Sequence, residues 1–200
     1  MRALRTFILA TSLASLAVAP NLFAITGLGI GFKGGIVSNY KNPNLKISDY
    51  NFDNLKYYGG FIKAGGKGFQ FELGPEYYWK NTNITLFDQK VNAEVRDFSF
   101  SGTGKFIFPF PVVQPFVGAG IGLHKFTYKY SGPLGQYQDI NIEVPADKTY
   151  FGYHLVFGAK TSLPVLPFDV FVEGKIGKVA TPNDPTDYTV FAIGLILNLP

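Results

Sequence analysis

The chain has 200 residues, 18 Lys and Arg against 14 Asp and Glu, and not one cysteine. That length suits one domain with a removable leader. The missing cysteines exclude disulfide frameworks, thiol nucleophiles, Cys-based metal sites and a lipidated cysteine. The charge is too balanced, and too free of basic runs, for a nucleic-acid partner. Composition is skewed in a directed way: 20 Phe, 12 Tyr and 23 Gly accompany a charged fraction of only 16%, where soluble domains average about 25%.

Residues 1–24 read MRALRTFILATSLASLAVAPNLFA. Arg2 and Arg5 precede an apolar run from Phe7 to Ala19, which ends at Pro20. A positive start followed by a short apolar run is the pattern of a cleavable export signal, and the run falls short of the ~20 residues a membrane helix needs. Cleavage is expected after Ala24, because a cut after Ala19 places Pro20 next to the scissile bond. The mature domain is then 25–200. With Arg2 and Arg5 removed it keeps 16 basic and 14 acidic residues, a net charge of +2.

Beyond Ala24 the apolar residues recur in period two, the signature of strands with two unlike faces. The first segment groups Leu28, Ile30, Phe32 and Ile36. Around Lys56–Gly65 the pattern weakens, since Tyr57, Tyr58, Phe61 and Ile62 occupy both parities. From Gly68 to Lys80, Phe69, Phe71, Leu73, Pro75, Tyr77 and Trp79 oppose Gln70, Glu72, Gly74, Glu76, Tyr78 and Lys80. Phe98, Phe100, Phe106 and Phe108 share a face. Val117, Ala119, Ile121 and Leu123 oppose Gly118, Gly120, Gly122 and His124. Phe151, Tyr153, Leu155 and Phe157 oppose Gly152, His154, Gly158 and Lys160, and Phe191, Ile193, Leu195, Leu197 and Leu199 oppose Ala192, Gly194 and Asn198. Eight strands result, at roughly 27–38, 55–65, 68–80, 94–108, 115–130, 149–163, 168–180 and 188–199. Several have the ~9–11 residues a tilted strand needs to cross a bilayer.

The connections alternate. Long ones are expected at 39–54, 131–148 and 181–187, with 81–93 intermediate, and short ones at 65–67, 109–114 and 164–167. Tight turns on one rim and long loops on the other characterise outer-membrane barrels. A repeat of period 55 agrees: Lys105, Pro109, Phe116, Val117, Ile121 and Gly122 match Lys160, Pro164, Phe171, Val172, Ile176 and Gly177. Its unit is a two-strand hairpin with its long loop.

The fold expected is therefore all-β: an eight-stranded antiparallel up-and-down transmembrane β-barrel preceded by a cleavable signal peptide. The apolar face is assigned outward. The other face carries glycines with Gln70, Glu72, Glu76, Lys80, Lys105, Lys160, Glu173 and Lys175, a mixture suited to a narrow lumen in which charges must pair. Tyr77, Trp79, Tyr128 and Tyr153 are assigned to the interfacial aromatic girdle. The inverse arrangement, apolar inside, describes a soluble lipocalin-like carrier.

Pro115-Phe-Val-Gly-Ala-Gly-Ile-Gly122 and Tyr150-Phe-Gly-Tyr-His-Leu-Val-Phe-Gly158 resemble the small bacterial outer-membrane β-barrels, the group of the OmpA transmembrane domain, OmpX and OmpW. The resemblance implies a barrel inserted from the periplasm, with chaperones there, the barrel-insertion machinery and outer-membrane lipid as partners, and location in the bacterial outer membrane. The chain departs from that group in ending Leu197-Asn198-Leu199-Pro200 rather than on an aromatic.

No residue is assigned a catalytic, cofactor-binding or metal-binding role. His124 and His154 share the lumen parity, and their expected role is hydrogen bonding within a polar plug rather than acid–base chemistry on lipid A. Gly27-Leu-Gly-Ile-Gly31 lacks the Lys-Ser/Thr and following helix of a phosphate loop, and the Asn-rich 39–54 reads as a solvated loop rather than a calcium site. The function expected is non-enzymatic: structural or surface contact through the long loops. A narrow pore, a soluble carrier and a lipid A-modifying enzyme are the alternatives.

Overall fold

The computed structural model describes residues 27–41, 54–66, 68–86, 89–133, 139–145, 148–162, 167–182 and 184–199. The expected signal peptide lies outside them, as do residues 42–53 of the first long loop. Among the described residues there is no helix and there are nine strands: β1 Gly29–Lys41, β2 Leu55–Gly65, β3 Gly68–Leu86, β4 Gln89–Ile107, β5 Val113–Pro133, β6 Asp139–Pro145, β7 Tyr150–Ser162, β8 Phe168–Val179 and β9 Thr186–Asn198.

These strands close into one antiparallel barrel of eight walls. Apart from β6 and β7, each strand pairs with the next in sequence, β5 pairs with β7 as well as β6, and β1 pairs with β9 to close the ring. The ninth strand adds no ninth wall, because β6 and β7 follow one another along the same edge of β5. Thr127 to Pro133 pair with β6, and Val113 to His124 pair with β7. Closure leaves no edge within the barrel, so every backbone N–H and C=O of the wall can be paired where lipid offers no partner.

The faces fall as the alternation implies. Leu155 is 61% exposed and Ile193 61%, while Lys175 is 1% and Lys105 2%. An apolar belt on this scale is not a water-facing surface. A charged, closed interior beneath it is the arrangement of a transmembrane barrel and the reverse of a lipocalin. The lumen glycines provide room for large rings: a side chain at Gly31, Gly158, Gly177 or Gly194 collides with Phe61, Phe116, Tyr188 or Phe171 respectively. The period-55 repeat also survives in three dimensions. Lys105 and Lys160 are both buried in the lumen, Phe116 and Phe171 pack in one cluster, and Val117 and Val172 face outward.

The tight rim follows from local chemistry. Gly65 and Gly68 take φ of +98° and +91° between β2 and β3, a region that glycine enters without the Cβ penalty. On the opposite rim the expected loops need correction. Residues 81–93 are not an intermediate loop, since β3 and β4 stay paired from Gly68↔Ile107 out to Leu86↔Gln89. Much of 131–148 is likewise strand, where β5 and β6 pair from Thr127↔Pro145 to Pro133↔Asp139. In 81–93 neither parity holds a continuous apolar set, and 139–145 alternates Ile140, Ile142 and Val144 with Asp139, Asn141 and Glu143 over only 7 residues, too short a run to stand out from the surrounding loop-like sequence.

Candidate functional site

The lumen is stacked in three layers. On the tight-turn side Phe61, Ile107, Phe116, Phe171 and Ile196 form an apolar cluster. The middle is ionic. Lys33 Nζ lies 3.1 Å from Glu173 Oε1 and 3.2 Å from Glu76 Oε1, and Lys105 Nζ lies 2.6 Å from Glu72 Oε1 while also pairing with Glu173. Lys175 donates to Glu76, which accepts from the Tyr57 and Tyr78 hydroxyls as well, at 2.8 and 3.0 Å. On the projecting side Val37, Leu55, Val95 and Val190 pack with the rings of Tyr40, Tyr57, Tyr78, Phe126 and Tyr188.

The layers are stitched together. Lys33 sits 5.4 Å from the centre of the Phe61 ring, and Lys105 sits 4.7 Å from that of Phe116. The ammonium groups are thus held between carboxylates and ring faces, which offsets part of their desolvation. The ionic middle is thus flanked by an apolar cluster on each side.

The two histidines occupy the lumen, as their parity implies. His124 Nδ1 lies 2.9 Å from Asp97 Oδ2, and His154 Nε2 lies 2.8 Å from Thr103 Oγ1. Ser99 is the cross-strand neighbour of His124, so Ser, His and Asp do meet. They do not form a working triad: Ser99 Oγ makes no hydrogen bond, and Ser99, His124 and Asp97 are each at most 1% exposed. Among the described residues no three His, Asp or Glu side chains converge as metal ligands.

No protein-family model matches the chain, and no curated protein matches it. Solved structures do match in fold. A major outer membrane protein from Thermus thermophilus aligns with a TM-score of 0.59 at 11% identity, over 86% of this chain and 99% of that one. The Neisserial surface protein A aligns at 0.54 and 12% identity, covering 86% and 96%. The attachment invasion locus protein of Yersinia pestis, solved with the heparin analogue sucrose octasulfate, aligns at 0.52 and 11%, covering 86% and 97%. The fold is that of the small outer-membrane β-barrels.

In this barrel the rim of the belt on the projecting side carries a defined outward cluster. Trp79 donates from Nε1 to Glu94 Oε1 at 2.6 Å, Arg96 grips Glu94 through Nε at 2.9 Å and Nη2 at 2.8 Å, and Lys56 Nζ lies 5.1 Å from the Trp79 ring centre. Partial burial pushes the Glu94 carboxyl up, but the Trp79 and Arg96 donors outweigh it and hold it below the usual carboxylate range. Tyr77, Trp79 and Tyr153 face outward, as a girdle requires. Tyr128 is a correction: it packs against the lumen cluster, because it shares parity with His124 and Phe126.

The aromatic lumen cap is what sequence reasoning missed. Its parity was available, since Tyr78 shares a face with Glu76 and Tyr188 with Ala192, but a buried tyrosine and a girdle tyrosine look alike in a sequence. Tyr40 was less accessible still. Asn39 takes a φ of +57° and the β1–β9 register shifts between Ser38 and Lys41. That bulge resets the alternation and turns Tyr40 inward.

Above the rim the barrel continues as a sheet. Residues 80–86 of β3, 89–96 of β4, 127–133 of β5 and the whole of β6 stay paired in that order. Among the described residues β3 pairs with β2 only as far as Trp79, and β6 pairs with β5 alone. Among the described residues the projecting sheet thus has two edges that no strand covers.

Proposed function

We propose that the chain is a non-enzymatic protein of the bacterial outer membrane, in which the barrel is an anchor and the projecting four-stranded sheet is the contact surface. The observation that carries this reading is the pair of open sheet edges held above a plugged barrel. Unpaired strand edges offer rows of N–H and C=O groups to an extended partner segment. The barrel below gives such a platform a fixed orientation.

The plug argues against the pore alternative, because eight strands enclose only enough space for side chains and here they fill it. The buried Ser99–His124–Asp97 group argues against the enzyme alternative. Export through the N-terminal signal, with periplasmic chaperones and the insertion machinery as transient partners, fits the same reading.

The test replaces residues 82–93 and 128–148 by short turns. Cells displaying intact and trimmed barrels at equal density are compared for self-aggregation and for retention on surfaces coated with glycans or matrix proteins. The trimmed barrel is expected to keep its heat-dependent mobility on SDS gels and to lose contact. Equal retention of both forms would reduce the protein to a structural role. Ohmic steps from the intact barrel in planar bilayers would restore the pore.

A further inference from the structure

The outer wall holds a feature that the contact reading does not use. Between β1, β2 and β3 the belt is indented into a groove of about 770 Å³ lined by Phe32, Gly34, Gly60, Pro75, Ile193 and Leu195. Gly34 and Gly60 have outward parity, and a missing side chain at each lowers the floor between larger neighbours. The groove runs toward the rim, where Tyr58, Tyr77 and Phe98 also line it.

Register places cations over that end. One outward row runs Gly34–Tyr58–Tyr77–Phe98–Lys125, and the next runs Ile36–Lys56–Trp79–Arg96–Thr127. From β1 to β5 the two rows carry three cations and no acid. Glu94 belongs to the row beyond, Asn81–Glu94–Lys129, where it fixes the direction of the Arg96 guanidinium. Lys56 and Lys125 are exposed, and the Arg96 side chain is 39% exposed.

We propose that this wall binds one anionic, phosphate-bearing lipid of the leaflet on the projecting side, with an acyl chain in the Gly34–Gly60 groove and its headgroup held by Lys56, Arg96 and Lys125. Charge complementarity selects the occupant. A chain in the groove emerges between Tyr58 and Tyr77, with Lys56 in the next row above Tyr58, Arg96 one strand beyond Trp79 in that row, and Lys125 two strands from Tyr77, so apolar and ionic contacts serve one amphiphile. Long basic side chains extend along an apolar wall to reach headgroup depth, and guanidinium matches phosphate geometry. Basic groups beside a membrane-embedded groove are a recurring form of headgroup recognition. The proposal rests on the reading of this wall as lipid-facing.

Trp79 is the single tryptophan of the chain and stands inside the proposed site, so it reports occupancy directly. The protein is refolded into phosphatidylcholine vesicles containing, at equal mole fraction, either brominated phosphatidylglycerol or brominated phosphatidylcholine, and quenching of Trp79 is compared. Brominated phosphatidylglycerol is expected to bind next to Trp79 about fivefold more tightly or better. The ratio should fall to about one in the Lys56→Gln/Arg96→Gln/Lys125→Gln variant. Gly60→Leu fills the groove without touching the charges, since a Cβ there meets the Phe32 ring at an ordinary 3.7 Å, and it should also lower the ratio.

Equal quenching by both lipids in the native chain would overturn the site. So would a preference that survives the triple substitution, and a preference unchanged in Gly60→Leu would overturn the groove as the acyl site. Reversal of the preference by millimolar inorganic phosphate would mark a bare anion site instead of a lipid site. Absence of quenching by any brominated lipid would point to a different failure, that of the lipid-facing wall itself.

Discussion

β3 and β4 each pass through two environments, and their residues change with the environment while the pairing does not. Between Gly68 and Trp79, and between Arg96 and Ile107, one face meets lipid and the other meets the ion-paired lumen. Beyond Lys80 and before Val95 the same two strands run on in unbroken register, yet neither face carries a continuous apolar set. Backbone pairing thus continues through the projecting part, whereas the barrel part adds belt and ion-paired lumen. The two regions of one hairpin should respond in opposite ways to the same substitutions.

The largest difference is expected at the ionic middle. Glu76 accepts from Lys175, Tyr57 and Tyr78 and lies 3.2 Å from Lys33. Lys33 retains Glu173 when Glu76 is removed, but Lys175 loses its carboxylate partner. Glu76→Ala should then cost about 3–5 kcal/mol, as removal of one member of a buried pair does, measured by urea unfolding in lipid vesicles. Replacing the pair together, Glu76→Gln with Lys175→Met, should return most of that loss. A single variant as stable as the native chain would mean that the lumen is hydrated and its charges only weakly coupled.

The comparison also explains which parts were legible in the sequence. In the barrel, period two placed all eight walls, and outward residues such as Phe71, Ile121 and Leu195 were assigned from parity alone. Lumen charges were legible for the same reason, because Glu72, Glu76, Lys105 and Glu173 interrupt an otherwise apolar context. Two regions carry a weaker signal. Around β2, Tyr57 and Phe61 face the lumen's own apolar clusters while Tyr58 and Ile62 face lipid, so both faces are apolar and the alternation blurs. In the projecting sheet the apolar residues of 81–93 form no continuous face and the alternation of 139–145 spans only 7 residues, so both read as loops. Pairing partners inside the lumen, such as Lys33 with Glu173 across 140 positions, depend on barrel closure and have no local signal. The outward cluster of Lys56, Trp79 and Arg96 depends likewise on register across three strands.

The smallest effect makes the sharpest contrast, because it places one substitution in both regions. Leu195 is 51% exposed on the outer wall, and Leu195→Arg puts a charge in the belt. If the residue lies near the bilayer midplane this should cost about 2–4 kcal/mol. Asn83 is exposed on the projecting part of β3, opposite Asn92, and Asn83→Arg should stay within about 0.5 kcal/mol of the native chain. Both variants gain the same guanidinium on a strand surface, so the difference isolates the medium that surface meets. Measured in the same vesicles, a large loss for Leu195→Arg beside an unchanged Asn83→Arg locates the boundary of the bilayer between them. Equal effects at the two sites would place both in one medium, and the projecting sheet would then no longer stand clear of the membrane as a contact surface must.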